Sequence, residues 1–238
     1  MAKKKRITRK QLLKEPDEFL TLSAKTIQFV DNNRRLVLGV VIGVVIVALA
    51  VAGLRYHSKV SERTAYALFE KGRTRYLAEI LGRPSTEPLN EAAEPFWRVL
   101  MKYPATKAAP LCLMAYANMS YLRGDYKGAI DLYQKATDLF RENGAALKLV
   151  WNGLAYAYEA QKDFKSAAEY YQKIMDSQDE FMKGDACYNF GRMMEAMNHQ
   201  EKAIEAYKKV VEAYPNAVGF QIAREKVLRY EGDSKAGG

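Results

Sequence analysis

Hydrophobic and polar positions follow two different rhythms along this chain. From Leu36 to Leu54, nineteen residues run without a charge, a proline or a polar side chain, bracketed by Arg34 and Arg35 on one side and Arg55 on the other. At about 1.5 Å of helical rise per residue the run covers roughly 28 Å, close to the hydrocarbon thickness of a bilayer. A helix crosses that thickness with its backbone groups internally bonded. The pattern therefore predicts a membrane span over 36–54. Beyond it the chain stays compatible with helix from Arg55 to Ile80, so the span is expected to continue as one long helix until the glycine- and proline-bearing segment 82–88.

After that segment the rhythm becomes a repeat. Aligned on Ala92, Ala129, Ala167 and Ala203, each unit has an aromatic residue four positions later (Phe96, Tyr133, Tyr171, Tyr207). Seven positions later stands Val99, Ala136, Ile174 or Val210. The intervals of 37, 38 and 36 residues hold two helices and two short turns, which is the spacing of stacked helical hairpins. Small residues face one another within each pair (Ala117 with Ala129, Ala155 with Ala167, Gly191 with Ala203), so the helices approach closely while the aromatics fill the space around them. Asp125 and Asp163 stand where second helices begin and are suited to cap them, and Pro104 and Pro215 mark second-helix ends. Past Pro215, Val218, Ile222 and Leu228 trace one apolar face opposite polar residues, as a terminal cap needs. The segment 232–238 is expected to be disordered.

The residues in register resemble the tetratricopeptide repeat, a helix pair of thirty-four residues. The third unit carries Trp151, Leu154, Ala155, Tyr158, Phe164, Ala167 and Tyr171 at the motif's spacing. The second carries Tyr116, Ala117, Gly124, Asp125, Tyr126, Ala129, Tyr133 and Ala136, and the fourth Phe190, Gly191, Ala203, Tyr207, Val210 and Pro215. The first matches mainly in its second helix, through Ala92, Phe96, Val99 and Pro104, with its first helix displaced by the loop. The fold expected is all-α: a single transmembrane helix, then a solenoid of about four helical hairpins over 55–231 with a C-terminal capping helix.

Charge then sets the orientation expected of the span. Residues 1–35 hold ten Lys and Arg against four acids, whereas the chain after Leu54 carries a net charge of only +3. The positive-inside bias places the head in the cytoplasm and the repeats across the membrane. Lys3, Lys4, Lys5 and Arg6 suit anionic lipid. A short helix from Pro16 to about Val30 is expected to present Phe19, Ser23, Ile27 and Val30 on one face, either to the membrane interface or to a partner. Gly39 and Gly43 form a GxxxG pattern that would admit a second helix, including another copy of this one. The rival reading of the span is a cleaved signal, with Ala48-Leu49-Ala50 as the cleavage pattern and Arg34-Arg35 as a loose twin-arginine feature. The long head and the apolar run past Ala50 favour an uncleaved anchor.

No catalytic, cofactor-binding or metal-ligating set emerges. His57 and His199 are the only histidines, Cys112 and Cys187 lie in helical patterns far apart, and no nucleotide-binding or protease motif is present. The near-balanced charge of the body does not suit nucleic acid. Asn118-Met119-Ser120 is a formal glycosylation sequon, but it falls within a repeat helix.

The repeat resemblance implies a concave face built from the first helix of each unit. Its outward positions would be Met114, Asn118, Tyr121, Asn152, Tyr156, Glu159, Tyr188, Arg192 and Glu195, a mixed aromatic and polar groove suited to a segment of another protein. The whole architecture resembles the ancillary subunits of the bacterial Sec translocon, single-span inner-membrane proteins with periplasmic repeats. That resemblance implies a scaffold without enzymatic activity whose partners are translocon subunits and periplasmic chaperones. An adaptor for envelope or cell-division assemblies has the same architecture, as does an organelle import receptor with cytosolic repeats.

Overall fold

A computed structural model describes residues 18–81 and 89–236, and every regular element among them is an α-helix. The basic segment 1–14, Pro16, the loop 82–88 and the last two residues lie outside the described residues. The chain divides into two units, Met1–Lys59 and Val60–Gly238.

In the first unit, α1 (Glu18–Asn32) is followed after Asn33 by the start of α2 (Arg34–Ile80). Asn33 marks the break: its side-chain amide and its backbone N–H both donate to the Phe29 carbonyl at 3.0 Å. Within α2 an 18-residue window reaches a mean hydropathy of 3.0 and none of it is buried. Leu36, Val44, Leu49 and Leu54 are all more than half exposed. An uninterrupted apolar helix with no protein covering it is stable in an apolar medium, and this helix is long and apolar enough to cross a membrane. A Cβ added at Gly39 or Gly43 would meet nothing within 4 Å, so neither glycine serves a contact within the chain.

In the second unit the helices alternate as first and second members of hairpins. The hairpins are the C-terminal part of α2 with α3 (Leu89–Lys102), α4 (Ala108–Leu122) with α5 (Tyr126–Leu139), α6 (Gly144–Ala160) with α7 (Phe164–Met175), and α8 (Lys183–Ala196) with α9 (Gln200–Ala213), closed by α10 (Phe220–Ala236). The first hairpin, obscure in the sequence, is explained by Gly72. A Cβ there would come within 2.6 Å of the Phe96 ring, just as one at Gly191 would come within 2.6 Å of Tyr207. Gly72 thus occupies in α2 the small-residue position of a first helix. The loop adds eight residues to the sixteen that separate Gly191 from Tyr207, which hides the register.

Each remaining hairpin is keyed as the alternation of small and large residues requires. Ala117, Ala129, Ala155, Ala167 and Ala203 are fully buried, and Tyr133, Tyr171 and Tyr207 lie against them. Asp125 and Asp163 cap α5 and α7 by accepting from the backbone N–H groups of Gly128 (2.9 Å) and Ser166 (3.1 Å). Asn143 caps α6 in the same way from Ala146. The turn within each of the last three hairpins is one conformation. Gly124, Lys162 and Asn198 take φ of 81°, 63° and 60°, closing the first helix with a left-handed residue. Stacking buries three core clusters between Ala65 and Val227, bridged by the partly buried Leu100, Trp151, Tyr158 and Tyr170, with Tyr133 of one unit also filling the space over Gly153 of the next.

The terminal helix differs from expectation in two respects. It packs through Ala223 and Val227, while Val218, Ile222 and Leu228 remain exposed. Val218 precedes the helix, Gly219 sits directly on the Tyr188 ring, and Lys226 is drawn to Glu195, which together rotate the helix so that the small Ala223 faces inward. The helix also continues through Gly232 to Ala236, where disorder was expected. Lys208 holds Glu231 at 3.0 Å, and one interior glycine weakens a helix by only about 1 kcal/mol.

Candidate protein-binding groove

The expected groove positions recur at the same places on α4, α6 and α8, three residues before and one and four residues after the small residue at Ala117, Ala155 or Gly191. All nine lie on the first helices of the last three hairpins, and most are engaged with neighbours rather than free. Asn118 accepts a short hydrogen bond from the Tyr133 hydroxyl. Glu159 on α6 pairs with Arg192 on α8 at 2.5 Å, and Arg192 also donates to Asn189 at 2.9 Å. Glu195 on α8 pairs with Lys226 on α10 at 2.7 Å and accepts from the Tyr207 hydroxyl at 2.8 Å. Tyr188 lies 5.9 Å from the Tyr207 ring and over Gly219. Met114 packs partly buried into the second hairpin's core, and Asn152 is half-buried. Tyr156 alone of the nine is classed as exposed, at 37 %.

The face therefore has two characters along its length. Towards the N-terminal hairpins it is aromatic: Tyr121 lies 5.4 Å from Tyr126, and Tyr156 stands edge-on to Tyr171 at 6.2 Å. Burial raises the Tyr121 hydroxyl's pKa, with further contributions from Tyr126, Glu159 and Tyr156, which places these groups around one spot. Towards the C-terminus it is ionic and balanced, with two acids matched by two bases around a recess of about 500 Å³ that Phe164 and Met193 also line. A larger recess, about 860 Å³, lies along α9 and is edged by alternating Lys and Glu such as Lys202, Glu205 and Lys209, the solvated outer surface of a second helix.

Lys226, Tyr126 and Tyr171 contact these positions from neighbouring helices, which sequence reasoning missed. Lys226 was findable: it follows Arg192 by thirty-four residues, one repeat on. Cys112 and Cys187 take no part in it. Both are fully buried, and burial pushes their thiols up to about 12 and about 11. Among the described residues no group of His, Cys, Asp or Glu could hold a metal ion.

Tetratricopeptide-repeat models match residues 110–180, which span the second and third hairpins, and 184–217, the fourth. Residues 110–180 and 184–217 therefore carry tetratricopeptide repeats, in a chain that also has one long apolar N-terminal helix. Among solved structures it is similar to MamA (22% identity, TM-score 0.55, covering 72% of this chain and 83% of that one). It is also similar to a tetratricopeptide repeat protein from Parabacteroides merdae (18% identity, TM-score 0.57, 72% and 61%) and to the kinesin light chain-like repeats of Podosopora anserina (14% identity, TM-score 0.55, 72% and 89%). At these identities the likeness is one of fold. A search of curated proteins finds no match. Repeat domains of this kind mediate contacts between proteins.

Proposed function

We propose that this protein is a membrane-anchored scaffold that holds segments of other polypeptides against the face of its first helices. Its place is the bacterial inner membrane, beside the Sec translocon, with the basic head in the cytoplasm and the repeats in the periplasm. The observation that carries the binding reading is the face itself. Exposed Tyr156 and half-buried Tyr121 offer aromatic contact area beside ion pairs that are already balanced, a surface that accepts chain without demanding a charged partner. The location rests on the apolar α2 and on the ten basic residues that precede Leu36.

Two measurements test this. A C-terminal alkaline phosphatase fusion should be active and a C-terminal green fluorescent protein fusion dark; the opposite pair places the repeats in the cytoplasm and removes the periplasmic reading. A photo-crosslinker at Tyr156 should capture translocon subunits and chains in transit. Capture of cell-wall or division factors instead would favour the adaptor role.

A further inference from the structure

The second helices of the last three hairpins each bury a tyrosine at the same repeat position, and two of the three hydroxyls are used. Tyr133 donates to Asn118 and Tyr207 donates to Glu195. Tyr171 is fully buried, yet among the described residues no protein group accepts its hydrogen bond. The repeat itself explains why. The position that holds Asn118 in the second hairpin holds Tyr156 in the third, and that ring stands edge-on to Tyr171 at 86° without offering an acceptor. The position that holds Glu195 in the fourth hairpin holds Glu159 in the third, and that carboxylate is turned to Arg192. Both local partners are thus diverted at this one unit.

We propose that the Tyr171 hydroxyl is the donor for a backbone carbonyl of an internal, extended polypeptide segment lying across Tyr121 and Tyr156, reached when the Tyr156 ring turns aside. This rests on the groove reading above and assigns its recognition centre. Burial, with Glu159 adding to it, raises the phenol's pKa far above neutrality, so the group donates a hydrogen bond rather than accepting one as a phenolate. An extended chain supplies an acceptor at every residue whatever its sequence. A terminal carboxylate would need a free cation, and Arg192 and Lys226 are paired with Glu159 and Glu195. Tyr156, the most open aromatic of the face, stands edge-on to the Tyr171 ring at 6.2 Å.

The test uses the full chain in nanodiscs and a fluorescein-labelled, reduced and carboxamidomethylated α-lactalbumin as the unfolded probe. Tyr171→Phe should weaken binding about fivefold while leaving the thermal midpoint of the free protein unchanged or raised. Unchanged affinity in the variant overturns the assignment and leaves the groove reading intact. A lowered midpoint shows that the hydroxyl is already satisfied without a segment, and overturns it as well. Failure of the wild-type protein to bind the probe removes the groove reading and this inference together. Competition by a neutral twelve-residue peptide must survive C-terminal amidation; if only the free acid competes, the ligand is a chain terminus and the internal-segment assignment falls.

Discussion

The Tyr207 hydroxyl, on a residue with no solvent exposure, donates to Glu195 at 2.8 Å, and the same carboxylate holds Lys226 at 2.7 Å. One side chain therefore satisfies a buried phenol and ties the last hairpin to its cap. Glu159 and Arg192 make the equivalent helix-to-helix pair one repeat earlier without serving a phenol.

The two glutamates should consequently differ in their effect on stability. Both ion pairs are partly exposed, which limits each to about 1 kcal/mol or less. Glu195→Ala also strands the buried Tyr207 hydroxyl, for a total loss of about 2–3 kcal/mol, against about 1 kcal/mol or less for Glu159→Ala. Denaturation of the two variants in detergent, followed by circular dichroism, checks the difference; equal losses would mean that the phenol contributes nothing.

The placement of the first hairpin predicts where bulk is forbidden. Gly72→Leu would drive a side chain into Phe96, and Ala167→Leu would do the same in a position with no exposed surface. Overpacking of this kind costs about 1–3 kcal/mol. Gly39→Leu, whose added Cβ meets nothing within 4 Å, should leave the melting of the repeats unaltered. If Gly72→Leu behaves like Gly39→Leu, the C-terminal part of α2 is not a repeat helix.

How far the sequence disclosed this structure depends on whether a signal repeats. The hairpins, their small-to-large pairing and the Asp125 and Asp163 caps were legible because Ala129, Ala167 and Ala203 keep one register. The first hairpin was only half legible, since an inserted loop separates Gly72 from Phe96 and no local feature marks the offset. The face of α10 was misjudged because Ile222 and Leu228 look like core by hydrophobicity, whereas close packing on α9 and the pull of Glu195 on Lys226 favour the small Ala223. The expected groove positions were read without their partners, which most of them turn out to have. The pairing joins Glu159 and Arg192, thirty-three residues apart on two helices, and spacing within one helix does not reveal it.

Turn chemistry gives a stabilising variant. Lys162 holds φ of 63° at the position that Gly124 fills in the preceding hairpin. A side chain there strains the backbone, and glycine relieves it at some expense in unfolded-state entropy. Lys162→Gly should raise stability by up to about 1 kcal/mol, with Asp163 still capping α7. A lowered denaturation midpoint would show that the lysine side chain contributes more than its backbone strain removes.

The least expected residue is Lys148 on α6, which is 1 % exposed. Its ammonium donates to the Asp179 carboxylate at 2.5 Å, the Asp179 carbonyl at 2.9 Å and the Phe181 carbonyl at 3.1 Å, pinning the segment between α7 and α8. A lysine in an amphipathic pattern ordinarily reads as solvent-facing, so this clasp was invisible in the sequence. Lys148→Met keeps the volume and strips three acceptors of their donor, for an expected loss of about 3 kcal/mol. The effect carries a pH signature. The hydrogen bond from Lys148 is the largest influence holding Asp179 below its ordinary value of 3.8. A carboxylate depressed in the folded state contributes stability that is fully present above the unfolded pKa and is lost as the pH falls through the folded one. Acidifying the wild-type protein from about pH 5 to below about pH 3 should therefore lower its unfolding free energy more than it lowers that of Lys148→Met. Parallel acid titration curves for the two proteins would show that the clasp does not depend on the ionised aspartate.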